Sequence, residues 1–385
     1  MWGGLLFALI SCLIFFGNVL NADERIERND KLILVGHNRL IMNVANVTNN
    51  NLREFDLNWD LRRHPVWSKI NTSRTDLIRL RAGHVYGQMW YVGANCTDSP
   101  SEATQRVFEQ IDTLNRLIEK HHHDLSRVTS LTQILDPIRR GKIRSLIAVK
   151  GGHTINSKLG LLRSLYALGV RCMSLASEQN CCNWVDSSLV DIADIDSTHL
   201  RTDLSLWGRL VVWEMNRLGM IVDLSYASYG AALDVLRYSR APVIFSNAGA
   251  YAINRHHLNV KEDVLIPLAT QGTFDPEILG GYTIDNVLEH LNYLRDVIGS
   301  DHIGIGSGFE SFDGAIDGLK DVSMFPNLFN ALQQGKYADG ETSEEELNKL
   351  AGVNFLRVFD EVERVKRQLS HEQPFEDDDS EDALD

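Results

Sequence analysis

The stretch IRSLIAVKGGHTINSKLGLLRSLYALGVRCMSL, residues 143–175, decides the fold class. It starts with a β-rich apolar run at 143–149, continues into a helical pattern at 158–168 and returns to a β-rich run at 170–175. A strand, a helix and a second strand in this order predict a parallel βαβ unit whose strands are buried on both faces. Small or polar residues follow each apolar run, and in parallel barrels such strand ends carry the chemistry.

The same alternation covers the rest of the chain and predicts one large barrel domain. About seven strands, with no glycine-rich phosphate fingerprint after the first, favour a TIM-like (β/α)8 barrel over an open doubly wound sheet. Further β-rich runs lie at 32–36, 220–226, 242–247 and 302–306, with an ambiguous one at 79–90. Further helical patterns lie at 101–121, 204–218, 229–239, 283–299 and 345–369.

Both ends of the chain differ in composition from this domain. Residues 1–21 are apolar and carry no charged side chain, which is typical of a secretory signal cleaved near Ala22, or alternatively of an uncleaved anchor. Residues 372–385 hold eight acids and no base and predict a disordered acidic tail. The barrel is therefore assigned to 22–371. The sequence contains no basic stripe that would indicate nucleic-acid binding. After residue 21, no apolar stretch predicts a membrane span.

Two further signals agree with a secreted protein. Glycosylation acceptors occur in polar, loop-like stretches at Asn46, Asn71 and Asn95. In an oxidising compartment, we expect a disulfide between Cys96 and either Cys181 or Cys182, because adjacent cysteines rarely pair with each other.

Six segments resemble the membrane (renal-type) dipeptidases, and they occur in the same order as in that family over almost the whole mature chain. The resemblance implies a TIM-like barrel of a secretory-pathway, commonly dimeric, di-zinc peptidase that hydrolyses dipeptides. The segments are LRAGHVYGQMW (80–90), GGHTINSKLGLLRSLYALGVR (151–171), RLGMIVDLSYAS (217–228), RAPVIFSNAGAY (240–251), GLKDVSMFPNL (318–328) and NFLRVFDEVE (354–363).

The zinc ligands of that family are mostly replaced in this chain. The resemblance places its five ligand positions at His37, Arg39, Lys150, Tyr226 and Asn247. His37 is retained. The resemblance implies that Arg39 replaces an Asp, Lys150 replaces a Glu, and Tyr226 and Asn247 replace two His residues of the family.

The resemblance also implies losses elsewhere in the catalytic machinery. The substrate-polarising His falls on Ser177 or Glu178, and the catalytic Asp falls on Gly308. Asp313 lies nearby, but equal segment lengths argue against a shift. The Arg that receives the substrate carboxylate aligns with Leu258, although Arg255 is close. His153 resembles a position near the metals, and we interpret it as a hydrogen-bonded core residue.

Electrostatics argues independently against a zinc pair. Replacing an Asp and a Glu by Arg39 and Lys150 changes the ligand charge from −2 to +2, and each reversal costs several kcal/mol even at an effective dielectric of about 20. We therefore predict no cofactor. The two cations are expected to occupy the former metal volume and to pair with Asp223, Glu178 or Glu310, since buried charges need partners.

These observations predict a catalytically inactive secreted relative of the dipeptidases that acts by binding or dimerisation. Its partner would be a second copy, an active paralogue, or an anionic small molecule or peptide held by the two cations, unless these form only a structural ion-pair cluster. The alternative is an active zinc dipeptidase with a rearranged site, in which His37 combines with Glu178, Glu310 or Asp313.

The resemblance also indicates a distortion of the barrel. Between Val264 and Ile284 the family has its seventh strand, but here LATQGTFDPEILGG (268–281) is shorter and polar. We expect the barrel to be distorted or open around this strand.

Overall fold

The computed structural model describes residues 33–139, 141–191, 203–268, 273–276, 283–311, 316–336 and 343–378. The predicted signal, residues 1–21, and Asp313 lie outside these ranges. The strands in the described part are β1 (Ile33–Val35), β2 (Val85–Gly93), β3 (Leu125–Arg127), β4 (Ile143–Lys150), β5 (Val170–Ser174), β6 (Ile221–Asp223), β7 (Val243–Ala248) and β8 (Thr273–Pro276).

The strands form one parallel sheet that curls into a distorted TIM barrel. Its order is β1-β2-β4-β5-β6-β7-β8, and β3 pairs with the amino-terminal part of β4. On the other side of β1, Val35 bridges Ile305 in parallel, and the Gly36 amide donates to the Ile305 carbonyl at 2.8 Å. The predicted fold class is therefore confirmed, and the strand predicted at 302–306 is reduced to a single bridge.

Helices cover the outer face of the sheet, and local sequence signals set their ends. The longest begins with Ser99 as its N-cap, where Ser99 and Glu102 form a reciprocal capping box beside Pro100. The helices are α1 (Leu40–Thr48), α2 (Leu77–Ala82), α3 (Pro100–Lys120), α4 (Leu131–Ile134), α5 (Leu159–Ala167), α6 (Leu206–Leu218), α7 (Tyr229–Tyr238), α8 (Glu262–Leu268), α9 (Ile284–Ile298), α10 (Phe325–Ala331), α11 (Glu344–Asn348) and α12 (Asn354–Gln368).

A seventh barrel strand is present within the segment 268–281. Strand β8 pairs in parallel with β7 through Ile244 and Thr273, and the register shifts before Ala248 meets Pro276. Within the described ranges, no strand ladder joins β8 to the 303–305 segment. The barrel is thus irregular at β8.

Some residues of the predicted acidic tail contact the barrel. Residues 372–378 lie against the barrel, where the Phe375 ring packs 6.0 Å from the Trp213 ring. Arg163 donates to the Phe375 carbonyl at 2.8 Å, and Arg240 pairs with Glu372 at 2.6 Å. One aromatic side chain among the acids, facing basic residues on the barrel, orders this segment.

The structure joins Cys96 to Cys181, which resolves the alternative left open by the sequence. All three glycosylation acceptors are exposed, but Asn46 lies within α1 rather than in the loop that its polar surroundings indicate. Among the described helices, none is both long and apolar enough to cross a membrane.

Candidate functional site

The five positions inferred for zinc ligands converge at the carboxyl ends of the strands, and we call them the remnant site. Lys150 ends β4, and its Nζ lies 4.8 Å from the centre of the Tyr226 ring beyond β6. The Tyr226 hydroxyl accepts a hydrogen bond from the side-chain amide of Asn247 in β7. His37 follows β1 and is close enough for Arg39 and Lys150 to lower its pKa. The remnant site is therefore assembled, although its ligand chemistry is gone.

A single carboxylate oxygen accepts hydrogen bonds from both cations of this site. Glu178 Oε1 accepts from Arg39 Nη1 at 2.8 Å and from Lys150 Nζ at 2.7 Å. We call these three residues the Glu178 cluster. Burial alone would raise the pKa of Glu178, but the charges and hydrogen bonds of Lys150 and Arg39 lower it below its usual range. The cluster holds two positive charges and one negative charge.

Exposure orders the cluster from the inside outwards. The Lys150 side chain is 3% exposed and that of Arg39 is 14% exposed, whereas the Glu178 side chain is 46% exposed. The acid is therefore the outermost group of the cluster. An anion from solvent would reach Lys150 by taking the place of the Glu178 carboxylate.

Asp223, another predicted partner, is occupied by hydroxyl groups. Its Oδ2 accepts from Tyr91 at 2.8 Å and from Ser246 at 2.6 Å, while its Oδ1 accepts from Ser225 at 2.7 Å. All three donors are neutral hydroxyl groups, so Asp223 forms a buried hydrogen-bond network next to the remnant site and, among the described residues, does not form an ion pair with either cation there.

The same network fixes the tautomer of His37. The Ser246 hydroxyl gives its proton to Asp223, so its oxygen accepts from His37 Nδ1–H at 3.2 Å. The Nε2 lone pair is buried and has no hydrogen-bond partner among the described residues. Burial lowers the pKa of His37 strongly, and the charges of Arg39 and Lys150 lower it further, which keeps the ring neutral.

Glu310 is held by donors of its own and does not face a metal-like set of ligands. It accepts from the Arg74 amide at 2.6 Å and from Asn43 Nδ2 at 2.9 Å. Burial raises its pKa, and the backbone at Glu310 is left-handed, with φ 71°. These contacts anchor the loop at the carboxyl end of the last barrel segment.

The other positions inferred for the catalytic machinery do not form a reacting group. Ser177 is buried, and Gly308 lies before the Glu310 turn with φ 52°. Leu258 lines a cavity of about 130 Å³ next to the remnant site, with which it shares Tyr226. Arg255 and Lys261 line the same cavity. The sequence pointed to Arg255 but gave no signal for the cavity itself.

The donor set of the remnant site does not fit a pair of zinc ions. It offers one imidazole, one phenol, one amide and two cations that share a carboxylate, whereas zinc binds thiolate, imidazole and carboxylate. In the part of the chain that the structure describes, three ligand atoms within 4.8 Å of one another come together only at Cys96, His153 and Cys181, none of which is one of the five family positions.

Comparisons with known proteins agree with the observed fold. The family described as membrane dipeptidase (peptidase family M19) matches residues 28–373. A probable dipeptidase from Pseudomonas aeruginosa is 20% identical, with a TM-score of 0.73 over 90% of this chain and 98% of that one. A metallopeptidase from Rhodobacter sphaeroides, liganded with a phosphinate mimic of L-Ala-D-Ala, is 19% identical, with a TM-score of 0.67 over 86% and 99%. A further M19 dipeptidase is 20% identical, with a TM-score of 0.69 over 86% of this chain and 98% of that one.

Proposed function

Because this chain belongs to the membrane dipeptidase family but has a site that does not fit zinc, we propose that it is a secreted, non-catalytic member that acts by binding. The observation that carries the proposal is the Glu178 cluster, in which Arg39 and Lys150 share one carboxylate oxygen. These two cations stand at positions where the family has an Asp and a Glu ligand.

Charge explains why hydrolysis is not expected. Two like charges 4 Å apart repel by about 4 kcal/mol at an effective dielectric of 20. A divalent ion near Lys150 would meet a buried ammonium in place of a carboxylate, and Glu178 cannot neutralise both. Without a metal, no group of the remnant site lowers the pKa of a water molecule to produce hydroxide.

The site is suited to a small anion that also carries N–H donors. Displacing Glu178 would give a carboxylate access to two cations, and Arg offers a planar fork for such a group. His37 Nε2 and Asn247 Oδ1 are buried acceptors without a partner among the described residues. A peptide or amino acid supplies both a carboxylate and N–H donors, so we propose this class of ligand.

Dimerisation belongs to the same proposal, because the family resemblance implies it. The partner would be a second copy or an active paralogue. An active zinc dipeptidase with a rearranged site, in which His37 combines with Glu178, Glu310 or Asp313, would need Glu178 or Glu310 to leave its present contacts if either served as the ligand.

A ligand-dependent melting shift tests the binding proposal. The dialanine dipeptide should raise the melting temperature of the oxidised protein, and its C-terminal amide should not. Lys150→Met should abolish the shift, while Lys69→Met, which changes an exposed lysine, should leave it intact. An equal shift in Lys150→Met, or no shift with the dipeptide, contradicts the proposal.

A further inference from the structure

A second group of ligand atoms lies at the ends of three neighbouring strands. Cys96 follows β2, His153 follows β4 and Cys181 follows β5. One ligand atom from each of the three lies within 4.8 Å of the others, and all three residues are half-buried. The sulfurs are joined in a disulfide. From this grouping we propose that reduction of the disulfide creates a zinc site formed by Cys96, Cys181 and His153.

The position of the imidazole is built into the backbone. Gly151 has a φ of +88°, and a Cβ atom added there would lie 2.6 Å from the His153 ring. A Cβ atom on Gly152 would lie 2.2 Å from the Trp184 ring. Only glycine fits at both positions, so the turn after β4 holds the imidazole against the two cysteines. His153 was expected to be a hydrogen-bonded core residue, and its place beside the disulfide was not.

The distances and the chemistry suit zinc. Zn–S bonds of about 2.3 Å and Zn–N bonds of about 2.0 Å place tetrahedral ligand atoms roughly 3.5 Å apart. Side-chain rotation after cleavage of the S–S bond covers the difference. An imidazole nitrogen and two cysteine sulfurs form a ligand set that zinc binds in proteins. Two thiolates and Zn²⁺ sum to zero charge.

The reaction balances with a dithiol as reductant. Its two thiols become a cyclic disulfide, and the protein disulfide takes up two electrons and two protons to give two thiols. Binding of Zn²⁺ then releases these two protons, and the metal is held by two sulfurs and one nitrogen. Water fills the fourth position, as in other zinc sites with three protein ligands.

Such a site would replace one cross-link by another. The disulfide ties the loop after β2 to the loop after β5, which also carries Glu178. Zinc would keep these loops together in a reducing environment and would release them when chelated. This inference does not depend on the proposed anion binding.

Cobalt substitution tests the site. The protein is reduced with a dithiol, the dithiol is removed under anaerobic conditions, and the reduced protein is titrated with Co²⁺. We expect thiolate-to-cobalt charge transfer and tetrahedral visible bands that saturate at one equivalent. Oxidised protein, Cys96→Ser and His153→Ala should lack this spectrum. Cys182→Ser should retain it, because Cys182 does not belong to the group of three ligand atoms.

Three results would overturn the inference. The first is a folded, reduced protein without the cobalt spectrum. The second is an unchanged spectrum in His153→Ala or its loss in Cys182→Ser, which would assign other ligands. The third is loss of the native circular dichroism on reduction in the presence of Zn²⁺, since the site requires the native ends of β2, β4 and β5.

Discussion

Glu178→Gln is the most informative single substitution, because it removes the only negative charge of the Glu178 cluster and keeps its shape. Breaking a buried ion pair by removing one partner costs about 3–5 kcal/mol, because the remaining charge stays buried. Glu178 is 46% exposed, so solvent screens part of this cost, and exposed pairs contribute only about 0–1 kcal/mol. We expect a loss of about 1–3 kcal/mol in the free energy of unfolding at pH 7.

The pH dependence of this loss has a definite sign. Arg39 and Lys150 lower the pKa of Glu178 in the folded protein. The stabilisation is therefore fully present above the unfolded pKa of a glutamate, about 4.3, and is lost as the pH falls through the lower folded pKa. The difference between Glu178→Gln and the unsubstituted protein should shrink below pH 4.

Urea denaturation at pH 7 and at decreasing pH measures both effects. Asp112→Asn is the matched control, because it breaks an exposed helical pair with Arg116 at 2.7 Å, worth about 0.3–0.5 kcal/mol. The reasoning is refuted if Glu178→Gln costs no more than this control, or if its cost grows on acidification.

Three further predictions address other parts of the structure. His37 should stay neutral, as the Nδ1–H tautomer, throughout pH 5–8, because burial and two cations lower its pKa; nitrogen NMR shifts that titrate in this range would disprove this. Phe375→Ala should cost about 1–2 kcal/mol and speed proteolysis near residue 372, because the contact with Trp213 is lost; an unchanged cleavage rate would show that the segment is held otherwise. Replacing Cys96 and Cys181 by Ser should cost about 2–4 kcal/mol, since the disulfide closes a loop of 85 residues; a melting temperature equal to that of the oxidised protein would contradict this.

The sequence predicted the barrel because its strands are continuous apolar runs. The run at 79–90 was ambiguous for a physical reason: helix α2 ends at Ala82 and strand β2 begins at Val85, with His84 between them at φ 55°. Strand β8 was in doubt because the segment 268–281 is short, largely polar and contains Gly and Pro. Its pairing with β7 uses backbone groups, which composition does not reveal.

Within the site, the sequence predicted which residues converge but not how they pair. Glu178 was one of three candidate partners, and sequence order gives no reason to prefer it to Asp223 or Glu310. The choice depends on hydroxyl and amide donors, because Ser246 satisfies Asp223 and Asn43 satisfies Glu310. These neutral contacts carry no signature in the sequence. The packing of Phe375 was missed because the charge of its neighbours dominates the composition of the tail.

Zinc stoichiometry of the oxidised protein, purified without chelators from zinc-supplemented culture, tests the central claim most directly. We predict far less than one zinc per chain, and no dipeptide hydrolysis, because Arg39 and Lys150 pair with Glu178 where metal ligands would have to stand. About two zinc ions per chain, with dipeptide hydrolysis abolished by a chelator, would contradict the account.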